Sequence, residues 1–263
     1  MSDNRPIGIF DSGVGGLTVA QAIADLMPNE SIRYIGDTAR MPYGDKSPAE
    51  IAGFCLEMAG FLVDHPCKAI VIACHTASAY GLETVRAHWP TIPVIAMEPA
   101  IKPAAENSRS GVIGVMATQG TLRSQRYGNL KNRFGKEVSI VENPCDGLAH
   151  RIESGQWDTK ETRELIKKII LPMTKAGADH IVLGCTHYPI IIPLLYSLTS
   201  SKDISLINPA PAIARQLQRR LVEKNLCRKN KTGPEHHVWA TGPMEGFHYL
   251  LPELLPNSTL HSF

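Results

Sequence analysis

Two cysteines, Cys74 and Cys185, are the side chains of this sequence that are best placed to do chemistry. Each follows a short apolar run and a small residue, and each is followed by polar residues that include a threonine and a histidine. At such a position, where a strand gives way to a loop or a helix, a helix N-terminus can stabilise a thiolate. Either cysteine alone is more simply interpreted as a packing residue, but the matched pair favours catalysis.

A pair of thiols on opposite sides of one carbon atom suits a reaction that inverts that carbon. One group removes a proton from one face while the other returns a proton to the opposite face, and the roles exchange in the reverse direction. Sulfur suits this task because the reference pKa of cysteine, about 8.5, is readily lowered by neighbouring groups. The two thiols are expected to titrate as a coupled pair.

Other polar residues also follow apolar runs. The glycine-rich segment 11–16 lets backbone amides approach an anion, and it fits a small carboxylate better than a phosphate because it lacks both nucleotide-binding fingerprints. Asp11 could accept a proton, orient a thiol or bind an ammonium group, with a simple helix cap as the alternative. Segment 37–44 predicts a turn that holds Tyr43 over a pocket, and His187 could serve the nearby thiol.

Buried parallel strands that alternate with helices are predicted to position these groups. Short apolar runs without polar alternation are typical of parallel strands that are buried on both faces. They are residues 7–10, 32–35, 69–73, 94–96, 112–115, 138–141, 181–183 and 205–207. Helical patterns between them include residues 48–63, 82–88 and 159–175. This alternation predicts the α/β class, with the functional site at the carboxyl ends of strands.

The sequence also contains an internal echo. Residues 7–12 resemble 113–118, and residues 70–74 resemble 181–185, in the same order and at nearly the same offset. The echo predicts two pseudo-symmetric parallel-sheet α/β domains, each with one of the cysteines, and an active site between them.

The limits of these domains are predicted from prolines and from the course of the chain. Prolines near position 99 interrupt regular structure, and we expect the chain to return to the first domain after position 208. The first α/β domain therefore comprises residues 1–98 plus 209–263, and the second comprises residues 99–208.

The composition indicates a globular protein whose partners are neither nucleic acids nor membranes. Of 263 residues, 43% are hydrophobic and 20% are charged, and 27 basic residues nearly balance 25 acidic ones, for a net charge of +2. Binding of phosphate backbones needs concentrated positive charge, and no apolar run approaches the roughly 18 residues of a membrane span. The polar N-terminus is unlike a signal peptide, so we expect a cytoplasmic protein. The six cysteines show neither a disulfide framework nor a zinc spacing.

Four motifs together resemble the bacterial glutamate racemase family, within the wider aspartate/glutamate racemase superfamily. They are residues 9–18 (IFDSGVGGLT), 36–44, 73–79 (ACHTASA) and 183–189 (LGCTHYP), with a weaker match at 117–127. The resemblance runs from Pro6 to about Glu223 with consistent order and spacing.

The resemblance implies interconversion of L- and D-glutamate, which supplies D-glutamate for peptidoglycan, with neither a metal nor a pyridoxal cofactor and often in a homodimer. By this resemblance, Cys74 and Cys185 are the two proton donors and acceptors. The residues that assist them are Asp11, His187 and Glu153. The substrate-contacting positions are Asp11, Ser12, Tyr43, Gly44, His75, Thr76, Thr186 and His187.

His75 departs from the family pattern, which has an asparagine between the first cysteine and the threonine. Asparagine offers a donor and an acceptor together, whereas histidine is larger and can change its charge near neutral pH. Three alternatives stay open at this point. They are a racemase for another acidic amino acid such as aspartate, a binding or regulatory protein that has lost catalysis, and a cysteine hydrolase with one essential Cys–His pair.

Overall fold

Ten strands form two parallel sheets within residues 3–199, 204–229 and 233–263, which the computed structural model describes. The strands of the first sheet are β1 (Ile7–Asp11), β2 (Ile32–Gly36), β3 (Ala69–Ile72), β4 (Val94–Ala96), β9 (His236–Ala240) and β10 (Ser258–Ser262). Those of the second sheet are β5 (Val112–Ala117), β6 (Ser139–Asn143), β7 (His180–Gly184) and β8 (Ser205–Ile207). Residues 1 and 2 of the N-terminus that we judged unlike a signal peptide lie outside the described residues.

The two sheets repeat one arrangement of strands. The first has the order β10-β9-β2-β1-β3-β4 and the second has the order β6-β5-β7-β8. The echo in the sequence thus pairs β1 with β5 and β3 with β7, at equivalent places in the two sheets. The predicted class, α/β with two related parallel-sheet halves, is confirmed. The domain limits stay a prediction, although β4 and β9 join the first sheet while β5 and β8 join the second.

Helices connect and cover the strands. They are α1 (Leu17–Leu26), α2 (Pro48–Asp64), α3 (His75–His88), α4 (Ile101–Asn107), α5 (Gln119–Arg123), α6 (Gln125–Phe134), α7 (Leu148–Glu153), α8 (Lys160–Lys175), α9 (Ile192–Leu198), α10 (Ala210–Glu223) and α11 (Glu245–Leu254), with 3₁₀ turns at Tyr43–Asp45 and Tyr188–Ile191. The helix that we predicted at residues 82–88 begins earlier because the Cys74 side chain caps it. No helix within the described ranges has both the length and the apolar character that a bilayer crossing requires.

Both faces of each sheet are buried, which explains the lack of polar alternation in the strands. Along β1, Ile7 and Ile9 belong to an apolar cluster with α1, α10 and α11, whereas Phe10 belongs to another with α2 and α3. The second sheet is covered in the same way, with α7, α8 and α9 on one face and α4 and α6 on the other. Each fully buried large aliphatic side chain contributes roughly 1.5–3 kcal/mol. The carboxyl ends of β1, β3 and β7 are therefore held by rigid packing.

Candidate active site

The thiols of Cys74 and Cys185 line one cavity, although they follow strands of different sheets. Most of the predicted site residues line it with them: Ser12, Tyr43, Gly44, His75, Thr76, Thr186 and His187. The other lining residues are Met41, Pro42, Thr118, Ala149 and Gly184. The cavity volume is about 20 Å³, which is room for about one water molecule. The cleft is therefore closed, and it has to open before a molecule the size of an amino acid can enter.

Cys74 caps the N-terminus of α3. Its Sγ accepts hydrogen bonds from the Ala77 amide at 3.4 Å and from the Ser12 hydroxyl at 3.5 Å. Burial raises the pKa of the Cys74 thiol to about 12, with a further rise from the charge of Asp11, and the two hydrogen bonds lower it only in part. Cys74 is accordingly a protonated thiol at neutral pH in the closed cleft.

Asp11 lies behind the cavity at the end of β1 and is fully buried. Its carboxylate accepts hydrogen bonds from the Gly13 amide at 2.9 Å and from the Thr186 hydroxyl at 3.1 Å. Burial raises the pKa of Asp11 to about 6, although the charge of His187 and these hydrogen bonds lower it in part. A carboxyl group with this pKa can accept or release a proton close to neutrality.

A chain of polar groups runs from Cys185 to the glycine-rich loop. The Sγ of Cys185 is 3.6 Å from His187 Nδ1, and His187 Nε2 is 2.6 Å from a carboxylate oxygen of Glu153. Burial alone lowers the pKa of His187, but its hydrogen bonds and charge interactions with Cys185 and Glu153 raise it well above the usual value. His187 is therefore an imidazolium at neutral pH, with a sulfur on one side and a carboxylate on the other.

The glycine-rich loop binds an anion, but that anion belongs to the chain itself. Both oxygens of Glu153 accept hydrogen bonds from the Val14 amide, at 3.0 and 2.9 Å. A Cβ at Gly13 would stand 2.5 Å from Glu153 Oε2, and a Cβ at Gly15 would stand 2.6 Å from His187 Nδ1. Glycine is needed at both positions because only a residue without a side chain permits these approaches. The expected site for a small carboxylate is thus occupied here by Glu153.

Hydroxyl groups link the two halves on the Cys74 side of the cleft. The Thr76 hydroxyl of α3 is 2.8 Å from that of Thr118 and 3.3 Å from that of Thr121. These two threonines lie just beyond β5, in the second half. Neither threonine was among the predicted site residues, and the one signal for them in the sequence is the weak motif match at residues 117–127.

Tyr43 lines the cavity, and its hydroxyl is bound within the protein. Its hydroxyl donates to a carboxylate oxygen of Asp37 at 2.5 Å. The same carboxylate accepts from Arg40 Nε at 2.7 Å and from the Thr241 hydroxyl at 2.8 Å. This buried network holds the turn at residues 37–44 against the cavity. In the same turn, Gly44 packs closely on Thr118, since a Cβ added at Gly44 would lie 3.3 Å from the Thr118 Cβ.

His75 is the first residue of α3 and is 3% exposed. Neither of its ring nitrogens has a hydrogen-bond partner among the residues that the structure describes. Burial lowers the pKa of His75 to about 3, so the ring is neutral at neutral pH. A neutral imidazole has one donor and one acceptor nitrogen, the same pair of functions that an asparagine side chain offers. Across the described part of the chain, no cluster of three or more His, Cys, Asp or Glu side chains is arranged to hold a metal ion.

Comparisons with known proteins show similarity to one family over most of the chain. The family model described as Asp/Glu/Hydantoin racemase matches residues 17–217, which is more than half of the chain. The chain is 47% identical over 221 residues to a glutamate racemase of Stutzerimonas stutzeri (strain A1501), and the match covers 84% of this chain and 83% of that protein.

Solved structures are similar over almost the whole chain. Glutamate racemase isoform RacE1 from Bacillus anthracis gives a TM-score of 0.86 at 34% identity and covers 99% of this chain and 98% of that one. A glutamate racemase from Francisella tularensis, solved in complex with D-glutamate, gives a TM-score of 0.84 at 34% identity and covers 99% of this chain and 97% of that one.

Proposed function

The chain belongs to the Asp/Glu/hydantoin racemase family and is an amino-acid racemase, and from that premise we propose that it interconverts L- and D-glutamate without a cofactor. The acid and base are the thiols of Cys74 and Cys185. The observation that carries this proposal is that the two thiols, from equivalent positions of two related sheets, line one cavity. Glutamate is favoured as the substrate because the relatives above are glutamate racemases and one of them holds D-glutamate.

In the proposed reaction the substrate's Cα lies between the two sulfurs. With Cys185 as thiolate beside the His187 imidazolium, its sulfur takes the proton from one face of Cα while the Cys74 thiol donates its own proton to the other face. Cys185 is then a thiol and Cys74 a thiolate, so the enzyme is ready for the opposite enantiomer. Asp11, whose pKa is about 6, lies close enough to raise the pKa of Cys74 and accepts or returns a proton when the pair resets. Glu153 keeps His187 protonated and oriented.

The polar groups around the cavity bind the rest of the substrate in this proposal. When the cleft opens, the hydroxyls of Ser12, Thr76 and Thr186 exchange their partners in the closed cleft for the substrate carboxylates, and the turn at Tyr43 and Gly44 closes over the substrate. His75 supplies its donor and acceptor nitrogens, which no described residue binds in the closed cleft. Supply of D-glutamate for peptidoglycan and a cytoplasmic location complete the proposal, and the homodimer stays a prediction.

The test measures racemisation of L-glutamate, D-glutamate, L-aspartate and D-aspartate by circular dichroism, with deuterium incorporation at Cα measured in D₂O. We expect turnover of both glutamate enantiomers and loss of it in both Cys74→Ser and Cys185→Ser. Cys227→Ser, which changes a partly exposed thiol outside the cavity, is the matched control and should behave like the parent. Deuterium incorporation into aspartate alone would refute the substrate, and a single essential cysteine would refute the two-thiol mechanism.

A further inference from the structure

Tyr188 is a fully buried tyrosine directly beside the polar chain of Cys185. It follows His187, begins the 3₁₀ turn Tyr188–Ile191, and its backbone amide donates to the Cys185 carbonyl at 3.2 Å. Its side chain is 0% exposed, and within the described ranges its hydroxyl makes no hydrogen bond of regular geometry, although the Cys145 and Cys185 sulfurs lie near enough for hydrogen bonding to them to raise its pKa. A buried hydroxyl that lacks a good hydrogen bond costs folding free energy. A functional role for the hydroxyl beside a reactive sulfur would explain why the protein keeps it.

Two thiols flank this hydroxyl. Tyr188 shares an apolar cluster with Cys145 and Cys185, and negative charge on either sulfur raises the pKa of Tyr188 further above the value that burial imposes. The phenol therefore keeps its proton and can act only as a donor to a charged sulfur. The other titratable side chains that act on these sulfurs are Cys74, across the cavity, His187 beside Cys185, and Asp146, whose charge raises the pKa of Cys145.

Cys145 is not a competitor for the role of thiolate. Its own proton is donated to the Asn143 carbonyl at 3.3 Å, and its amide is held by the Asn143 side chain at 2.9 Å. Burial raises the pKa of the Cys145 thiol, so it stays protonated. The Tyr188 proton is thus left for Cys185 in the steps in which that sulfur carries a charge.

We propose that Tyr188 is a positioning residue for Cys185, whose hydroxyl donates a hydrogen bond to the Cys185 thiolate and fixes the direction in which that sulfur points. This role rests on the proposed function of Cys185 as one of the two bases. With His187 Nδ1 3.6 Å from the same sulfur, the thiolate has two donors. Hydrogen bonds to charged acceptors are the strong ones, so the phenol partner is gained when Cys185 is deprotonated and lost when it is protonated.

The test is Tyr188→Phe, which removes the hydroxyl and keeps the ring. The rate of Cys185 alkylation by iodoacetamide is followed against pH, with the modified peptide quantified by mass spectrometry. Opening of the cleft multiplies the alkylation rate by the same factor at every pH. It therefore leaves unchanged the midpoint, which is the pH at which the rate is half of its maximum. Loss of one charged hydrogen bond is expected to move that midpoint upward by about one pH unit and to lower kcat about tenfold, with little change in KM.

The matched control is Tyr127→Phe, which removes a second buried tyrosine hydroxyl in the same half of the molecule, one that donates to Glu142 at 2.7 Å. It should affect the melting temperature but not the Cys185 midpoint. If Tyr188→Phe also changes only the melting temperature, its role is packing and the proposal is wrong. If it does not fold, 3-fluorotyrosine at position 188 provides a stronger donor and should lower the midpoint, and an unchanged midpoint would again refute the proposal. The alkylation readout needs no substrate, so it is independent of whether glutamate is racemised.

Discussion

Replacement of Asp11 by asparagine should stabilise this protein at alkaline pH while it removes activity. Burial raises the pKa of Asp11 from its usual 3.8 to about 6 in the folded chain. Between those two values the folded chain binds more protons than the unfolded chain, so stability falls as the pH rises through this window. The stability contribution of the protonated carboxyl group is therefore complete below pH 3.8 and lost above pH 6.

The size of the effect follows from the same pKa difference. Each unit of difference between the folded and unfolded chain corresponds to about 1.4 kcal/mol, so the buried carboxylate costs about 3 kcal/mol at pH 8 and about half of that at pH 5. The asparagine in Asp11→Asn cannot ionise. Its oxygen can still accept from the Gly13 amide and its amide can donate to the Thr186 hydroxyl, the two partners of the parent carboxylate.

The assay is urea unfolding of the parent and of Asp11→Asn at pH 5, 6, 7 and 8. We expect the variant to be the more stable protein and its advantage to grow by about 1.5 kcal/mol from pH 5 to pH 8, with turnover of glutamate strongly reduced throughout. Asp179→Asn is the control of opposite sign. Burial alone would raise the pKa of Asp179, but hydrogen bonds from His180 and from the Ser110 amide lower it overall. That variant should be destabilised, and its loss of stability should not change between pH 5 and pH 8, because the lowered pKa keeps the Asp179 carboxylate ionised over this whole range.

An Asp11→Asn protein that is less stable than the parent at pH 8 would contradict a destabilising, ionised Asp11. A stability difference that does not change with pH would contradict it as well, since the cost would then not come from an ionised carboxylate. Melting temperatures measured by fluorimetry at the same pH values provide an independent check on the sign.

Two further predictions concern the contact between Glu153 and the glycine-rich loop. Glu153→Gln removes the charge that His187 Nε2 and the Val14 amide bind. A hydrogen bond to a charged group contributes about 1.5–3 kcal/mol, so its loss should lower kcat about tenfold to a hundredfold. The rate is measured by circular dichroism with L- and D-glutamate. An undiminished kcat would show that His187 does not need this partner. Gly13→Ala places a Cβ 2.5 Å from Glu153 Oε2 and should abolish activity, whereas Gly53→Ala, which meets nothing within 4 Å in α2, should keep activity and raise stability by about 0.5–1 kcal/mol. Equal behaviour of the two glycine variants in thermal melts and activity assays would contradict the close contact.

Much of the fold could be predicted because its strands are short, apolar and buried on both faces. Such runs are recognisable one at a time, and all eight that we predicted form strands. The sequence pattern did not indicate β9 and β10, because histidines at positions 236, 237 and 261 interrupt their apolar character. β10 is the edge strand of the first sheet and β9 lies between it and β2, and along β9 buried side chains alternate with partly exposed ones.

The candidate site was predictable where its residues lie in local motifs. Cys74 and Cys185 stand at the ends of matching strands, and that spacing is visible in the chain itself. Contacts between residues far apart in sequence were not visible, such as Glu153 on the Val14 amide or Thr76 beside Thr118. They depend on how the two halves pack together, and no local pattern encodes that packing.

By itself the sequence determined the two related halves, the positions of the two thiols and the chemistry that a pair of thiols can do. The tertiary structure decided their surroundings, because burial and distance set the charge of a group. It gave His187 a sulfur and a carboxylate as partners, left His75 neutral and without a hydrogen-bond partner among the described residues, and filled the loop of segment 11–16 with the chain's own Glu153. The two thiols are similar in sequence, but in the folded protein each has different neighbours.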